Sequence, residues 1–119
     1  MKRNVSFGRA GEEAAAEWYR GQGFRILDQN WRAPREYGGN EIDIVAAGHE
    51  LVVFCEVKAR ATDHFGSSFE AVDWRKQARI RRAAQAWLQQ AKHYYPQVRF
   101  DVVAVDGRKN VRVIKGAFQ

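Results

Sequence analysis

Two extended segments joined by a very short turn constrain this chain more than any other feature. Residues 41–46 alternate polar and apolar side chains, and residues 51–59 form an apolar run that ends in a glutamate and a lysine. Because alternate residues of a strand share a face, these segments are predicted to be neighbouring β-strands. Residues 47–50 include Gly48 and are short enough for a hairpin turn. A β-hairpin in the middle of a sheet is the expected result.

The register of this hairpin decides which acidic side chains meet. One register sets Glu41 opposite Glu56, another sets Asp43 opposite Glu56, and a third sets Asp43 opposite Cys55. The first two registers are favoured because they place five apolar residues on one face, which is predicted to be buried. These residues are Ile42, Ile44, Val53, Cys55 and Val57. In both of these registers Glu41, Asp43, Glu56 and Lys58 cluster at one end of the other face.

Clustered carboxylates beside an ammonium group predict a metal site. Two carboxylates ~5 Å apart repel by roughly 3 kcal/mol at an effective dielectric of about 20, so a positive charge is required. Lys58 supplies one, and the remaining oxygen ligands suit Mg²⁺, or Mn²⁺, with waters retained. Metal and Lys58 together predict phosphodiester hydrolysis, with Lys58 orienting water or holding the phosphate. The alternative is that Glu56 and Lys58 form a solvated ion pair at a strand end.

The other segments predict an α/β protein with a single domain over residues 1–119. Two helices are predicted, at 7–22 with Ser6 as N-cap and at 70–93. Further strands are predicted at 24–31, 99–105 and 111–116. Loops fill the intervals, at 32–40, 60–68 and 106–110. The order αβββαββ favours a mixed β-sheet flanked by helices.

Charge and cysteine content narrow the classes of function. Twenty Lys and Arg against 14 Asp and Glu give a formal charge of +6, which favours a nucleic-acid partner, although solubility alone is an alternative. Cys55 is the single cysteine, which excludes an intrachain disulfide and a zinc site built from cysteines. No signal peptide and no apolar stretch of ~20 residues is present, so we expect a cytoplasmic protein with no membrane association.

The motifs E-I-D at 41–43 and E-V-K at 56–58 resemble the D-x(n)-E-x-K signature of the restriction-endonuclease-like, or PD-(D/E)xK, superfamily. Most of the chain also resembles the YraN-like family, which is similar to archaeal Holliday-junction resolvases. The segments that carry this resemblance include G-R-A-G-E at 8–12, N-W-R at 30–32, V-F-C-E-V-K-A-R at 53–60, A-V-D-W-R-K-Q at 71–77 and R-F-D-V-V-A-V at 99–105. The resemblance implies a restriction-endonuclease-like core, a Mg²⁺-dependent endonuclease acting on branched or structured DNA, and, by analogy with the resolvases, a homodimer.

The resemblance also implies roles for individual residues. In the resolvases a glutamate of the first helix joins the metal site, and Glu12 stands at the matching interval before a glycine; a favourable position in the helix dipole is the alternative. The implied metal ligands are Glu12, Asp43 and Glu56. Lys76 and Gln77 would reach the same site, with Gln77 assisting catalysis, or would instead cap loop carbonyls.

Two positions depart from the patterns of these families, and a further acid is a weaker candidate. Ile42 stands where the superfamily name has a proline, and Asn40 stands where YraN-like sequences usually have a glycine. The second departure bears on the loop that would admit substrate. Glu41 is the weaker candidate for the acidic site.

DNA contacts are predicted where cations cluster, because phosphates are bound by local positive charge rather than by total charge. The predicted nucleic-acid-binding residues are Arg32, Arg35, Arg60, Arg75, Lys76, Arg79 and Arg82. Trp31 and Trp74 are candidates for stacking on unpaired bases, with burial in the core as the alternative. Two other functions stay open: a non-catalytic nucleic-acid-binding module, and a protein whose basic face docks an acidic partner.

Overall fold

The computed structural model describes residues 2–59 and 72–119, with side chains described from residue 8 onward. The predicted loop at 60–68, including Arg60, and the first two residues of the predicted second helix lie outside the described residues. The α-helices are α1 (Lys2–Gly21) and α2 (Trp74–Gln90), and a short 3₁₀ turn spans Arg35–Tyr37. The strands are β1 (Arg25–Arg32), β2 (Glu41–Gly48), β3 (Leu51–Ala59), β4 (Gln97–Val105) and β5 (Val111–Phe118).

The strands of the described residues form one five-stranded sheet in the order β1-β2-β3-β4-β5. Strands β3 and β4 are parallel and the other neighbours are antiparallel. A helix packs on each face of this sheet, so the predicted α/β class, a mixed sheet flanked by helices, is confirmed.

The β2–β3 hairpin has one of the two favoured registers. Ile44 pairs with Cys55, and one further step of that register sets Asp43 opposite Glu56. The turn consists of two residues, His49 and Glu50, whose φ angles are 54° and 66°. Two consecutive positive φ values are typical of the type I′ turn, whose twist matches that of the flanking strands. The acidic residues at the open end of the hairpin are therefore neighbours, as predicted.

Helix α1 begins earlier than expected and ends as expected. The prediction of a start at residue 7 with Ser6 as N-cap was wrong, because α1 begins at Lys2 and residues 2–6 contain neither Gly nor Pro to stop it. Its other end is closed by Gly23, which has a φ of 91°. The Gly23 N–H donates to the Arg20 carbonyl and the Phe24 N–H donates to the Tyr19 carbonyl, a Schellman motif.

Helix α2 is shorter than the predicted segment at both ends. Its N-cap is Asp73, whose carboxylate accepts a hydrogen bond from the Lys76 N–H at 2.9 Å. It ends at Gln90 rather than near residue 93, because the backbone becomes extended at Ala91, where ψ is 142°. The ring of Tyr95 then packs against that of Trp87, with centroids 6.0 Å apart. The predicted faces are confirmed: the apolar stripe that includes Ile80, Ala83, Ala84 and Trp87 is buried, and Arg75, Arg79 and Arg82 are exposed. Within the described residues no helix has the length and apolar character needed to cross a membrane.

Two apolar layers lie on opposite faces of the sheet. The layer beneath α1 contains Ile44 and Cys55, which is buried as expected. The layer beneath α2 contains Val45 and Phe54. Ile42 also packs in the α2 layer, so the prediction that it shares a face with Ile44 was wrong. The alternation of faces breaks at Asp43, between these two isoleucines. There the Asp43 carboxylate, instead of a backbone carbonyl of β2, accepts the hydrogen bond of a backbone N–H of β3.

Candidate metal and phosphate site

The acidic pair lies where β2 separates from β3. The Asp43 carboxylate accepts a hydrogen bond from the Val57 N–H at 2.8 Å. Glu56, the residue before Val57, is only 7% exposed. Burial first, and then the charge of Glu56, raise the pKa of Asp43 to about 7, although the Val57 hydrogen bond acts in the opposite direction. Two carboxylates thus face each other in a partly desolvated position.

Two ammonium groups approach the same oxygen of Glu56. Lys58 Nζ lies 3.4 Å and Lys76 Nζ lies 3.2 Å from Glu56 Oε2. Lys58 follows Glu56 on β3, and Lys76 comes from the first turn of α2, held by the Asp73 cap. A buried carboxylate is stable only when it is paired, and these two lysines provide the pairing. The structure therefore brings Lys76, as well as Lys58, to the acidic pair.

Glu12 of α1 takes part in the electrostatics of this site. Burial raises the pKa of Glu12, a hydrogen bond with the Asn30 side chain opposes that increase, and the charges of Glu41 and Glu56 add to it. Glu12 in turn contributes to the raised pKa of Asp43. Glu41 is exposed and lies 3.6 Å from the Arg32 guanidinium. The four acids predicted from the sequence thus share one electrostatic environment, with Glu41 at its solvent edge.

The donor set fits a divalent cation that keeps most of its waters. In the part of the chain that is described, no group of three or more His, Cys, Asp or Glu side chains is close enough to hold an ion together. Mg²⁺ commonly needs only one or two carboxylates, completed by waters and substrate phosphate. Asp43 and Glu56 supply that pair, and burial followed by the charge of Glu56 raises the pKa of Asp43, so a cation beside these carboxylates would stabilise their ionised forms.

The acidic pair opens into a cleft of about 130 Å³. Its lining residues come from β2, β3, α2 and the loop before β2: Asn40, Glu41, Asp43, Glu56, Lys76, Arg79 and Ile80. A water takes roughly 30 Å³ in the liquid, so the cleft has room for several waters or for a phosphate group. Its lining thus combines acids of β2 and β3 with cations of α2.

The sequence predicts no role for Asn30, which the structure brings to this site. The β1–β2 pairs Gln29–Ile44 and Trp31–Ile42 set Asn30 across from Asp43. Asn30 has a φ of 53°, a left-handed conformation that asparagine tolerates better than most residues. Its side chain hydrogen-bonds Glu12, and both residues line a shallow cleft on the α1 side. Asn30 thus links Glu12 to the row of acids, a role that an isolated Asn in a strand does not reveal.

Gln77 lies apart from the acidic pair. Its side-chain amide donates to the Val72 carbonyl at 3.2 Å, and it lines a different cleft beside Val102 and Ile114. Of the two residues predicted to reach this site together, the structure therefore brings Lys76 to the acidic pair and Gln77 to a different cleft.

The predicted nucleic-acid-binding cations fall into two groups, apart from Arg60, which lies outside the described residues. Lys76 and Arg79 line the acidic cleft, and the Arg75 guanidinium lies over the Trp74 ring. The second group surrounds the loop before β2: Arg32 donates to the Gly39 carbonyl at 2.7 Å, Arg82 donates to the Glu36 carbonyl at 3.5 Å, and Arg35 is exposed. Lys76 and Arg79 therefore line the cleft, and the second group surrounds the loop that supplies its Asn40.

Comparison with known proteins identifies relatives along most of the chain. Residues 11–105 match the model of a family described as "Uncharacterised protein family UPF0102". A UPF0102 protein of Frankia casuarinae is 45% identical over 99% of this chain and all of its own length. UPF0102 proteins of Rhodococcus opacus (42% identical, 88% of this chain, 86% of the relative) and Moorella thermoacetica (45%, 93% of each) are also similar. The matched range, 11–105, spans the positions of the acidic pair, both lysines and Asn30.

Proposed function

The chain belongs to the uncharacterised protein family UPF0102, the family of YraN-like sequences, and because that name carries no activity we propose a function from the site. The predicted YraN-like family is thereby confirmed. The proposed function is a metal-dependent endonuclease of the restriction-endonuclease-like superfamily that hydrolyses phosphodiester bonds in structured or branched DNA. The observation that carries it is the acidic pair Asp43 and Glu56, flanked by Lys58 and Lys76 in an open cleft.

The acidic oxygens are the natural ligands of the cation. Asp43 and Glu56 would hold Mg²⁺ or Mn²⁺, and Glu12, whose charge acts on Asp43, would add to the negative charge that attracts the cation. The chemistry that such a cation supplies is stabilisation of charge on the phosphoryl oxygens and a lower pKa for its bound water. Because the cation would neutralise the acidic pair, it would also weaken the ion pairs that Lys58 and Lys76 form with Glu56.

The two ammonium groups would then act on substrate. Lys58, which is mostly buried, would orient the attacking water or hold the scissile phosphate. Lys76, which is more exposed and lies on the first turn of α2, would hold a phosphate oxygen at the cleft wall. The exposed arginines along α2 extend this positive surface beyond the cleft and would hold the neighbouring phosphates.

Metal binding and DNA cleavage test the proposal together. We expect Mg²⁺ or Mn²⁺ to raise the melting temperature of the wild type, since a ligand at 100 times its Kd stabilises by about 2.7 kcal/mol. Asp43→Asn should abolish both this response and the cleavage of branched DNA. Glu12→Gln should weaken both, and the matched control Glu13→Gln, an exposed neighbour on the same helix, should change neither. Cleavage that persists in Asp43→Asn would contradict the assignment.

A non-catalytic nucleic-acid-binding module is the second candidate, because both lysines already neutralise Glu56 without a metal. Such a module would be stabilised by DNA and would not respond to divalent cations. The same thermal-shift series, run with DNA alone and with Mg²⁺ alone, separates the two functions.

A further inference from the structure

Trp74 is a large aromatic side chain that the fold leaves in solvent. It is the first residue of α2 and is 70% exposed, whereas Trp87 is buried and Trp18 and Trp31 are half-buried. The Arg75 guanidinium carbon lies 5.2 Å from the centroid of the Trp74 ring, within the range of a cation–π contact. One face of the indole is thus bordered by a cation. A single exposed apolar residue is ordinary by itself, so any functional meaning of Trp74 depends on its position.

The position of Trp74 is at one end of a basic arc around the first turns of α2. Successive residues of an α-helix are rotated by about 100°, and each adds ~1.5 Å of rise. Around the axis the side chains therefore follow in the order Trp74, Arg75, Arg79, Lys76. Arg79 and Lys76 line the acidic cleft, and Lys76 lies 3.2 Å from Glu56. The arc leads from an exposed aromatic ring, across cations, to the acidic pair.

The charges along this arc favour a polyanionic ligand. Arg75, Lys76 and Arg79 are accompanied on the first turns by one acid, Asp73, and its carboxylate is already engaged by the Lys76 N–H at 2.9 Å. Nucleic acid combines the two groups that this surface can bind, phosphates for the cations and flat bases for the indole. In a fully paired duplex the bases are stacked on one another, so only an unpaired base can place its face on Trp74.

We propose that Trp74 and Arg75 form a stacking platform for an unpaired base of a nucleic-acid strand whose backbone follows the basic arc into the acidic cleft. This inference rests on the proposed function and specifies its substrate class: nucleic acid with single-stranded or unpaired nucleotides beside the phosphate in the cleft. Aromatic stacking accepts every base, so the platform selects for unpaired structure and not for sequence.

Binding by the full-length chain without divalent cations tests the platform apart from cleavage. Fluorescence anisotropy would compare a labelled single strand, a branched DNA with unpaired nucleotides, and a blunt duplex, each over a range of salt concentrations. Trp74→Ala should weaken binding of the first two roughly tenfold and leave the duplex unchanged. The slope of log K against log salt should stay the same, because no charge is removed. Trp74→Phe, which keeps an aromatic ring, should restore most of the affinity.

Two control variants sharpen the result. Tyr94→Ala removes another exposed aromatic ring, 81% exposed and beyond the other end of α2, and should leave all three affinities unchanged. Arg79→Ala should weaken all three DNAs and reduce the salt slope by about one. Equal losses for duplex and single strand in Trp74→Ala, or a loss as large in Tyr94→Ala, would overturn the platform.

The outcomes also separate this inference from the proposed function. If the wild type cleaves DNA with Mg²⁺ and Trp74→Ala binds every DNA normally, the platform is wrong and the nuclease assignment stands. If the wild type binds none of the DNAs but binds polyglutamate, a model acidic partner, both are overturned in favour of protein docking.

Discussion

Asp43 is the residue whose environment most restricts the chemistry of the site. Its carboxylate is partly buried, hydrogen-bonded to the Val57 N–H and placed opposite Glu56. These conditions raise its pKa to about 7 from a usual value of 3.8, and burial is the largest cause. Without a cation, neutral pH is therefore the range in which this carboxyl group changes its protonation. A site with this property responds strongly to a positive charge placed beside it.

The raised pKa of Asp43 predicts a pH dependence of stability in the metal-free protein. The folded state holds this proton more tightly than the unfolded state, so the stabilisation is complete below pH ~4 and is lost as the pH rises to ~7. The slope contributed by one group is at most about 1.4 kcal/mol per pH unit. Urea unfolding with EDTA at a series of pH values should show this decline in wild type, and Asp43→Asn should remove it. An identical decline in both proteins would assign it to other groups.

The elements show which parts of the site the sequence could predict. The hairpin and its register follow from local information, since alternation sets the faces and a two-residue turn leaves few pairings. The approach of Lys76 to the sheet follows from the apolar stripe of α2, extended backward by one turn. Ile42 was misplaced because the alternation breaks at Asp43, where a side chain replaces a backbone partner. No pattern of residue types indicates such a replacement.

Other features depend on contacts between elements that are distant in the sequence. Asn30 has a positive φ and meets Glu12 of another element, and neither fact is encoded in the spacing of β1. The exposure of Trp74 could not be decided either, since a tryptophan at a helix start is compatible with burial or with solvent. Tertiary packing decides both, whereas the local pattern limits only the type of element.

The contact between Glu12 of α1 and Asn30 of β1 gives a prediction about Asn30. Asn30→Ala should lower stability by about 1 kcal/mol, since alanine tolerates a left-handed backbone less well than asparagine does, and should weaken the Mg²⁺ response, since it removes the contact with Glu12. Asn30→Gly removes the side chain that holds Glu12 but accepts the φ of 53°, so it should weaken the Mg²⁺ response without a comparable loss of stability. Urea unfolding and metal-dependent thermal shifts separate the two effects. The neighbouring exposed Gln29→Ala is the control. A normal Mg²⁺ response in Asn30→Gly would remove Asn30 from the site.

At the scale of the whole molecule, a buried carboxylate connects α1 to strands β4 and β5. Asp101 of β4 is fully buried and accepts hydrogen bonds from the Tyr19 hydroxyl at 2.7 Å and from the Gly116 N–H at 3.0 Å. The Arg99 guanidinium donates to both of its oxygens, at 2.8 and 2.9 Å. Helix α1 also carries Glu12, so this network fixes the orientation of a helix that contributes to the acidic site. The packing of α1 on the sheet is therefore supported by a polar contact inside the core.

Tyr19→Phe tests this contact, because it removes one hydroxyl and little volume. A hydrogen bond to a charged acceptor contributes roughly 1.5–3 kcal/mol, so the variant should lose about that much free energy of unfolding. Asp101 keeps its partners Arg99 and Gly116, which limits the loss and should leave the denaturant m-value unchanged. Tyr94→Phe makes the same chemical change at an exposed position and should be neutral within ~0.5 kcal/mol. Mg²⁺ should still raise the melting temperature of Tyr19→Phe, although from a lower starting value, since Asp101 is not part of the acidic pair. Equal stability of wild type and Tyr19→Phe would mean that apolar packing alone orients α1.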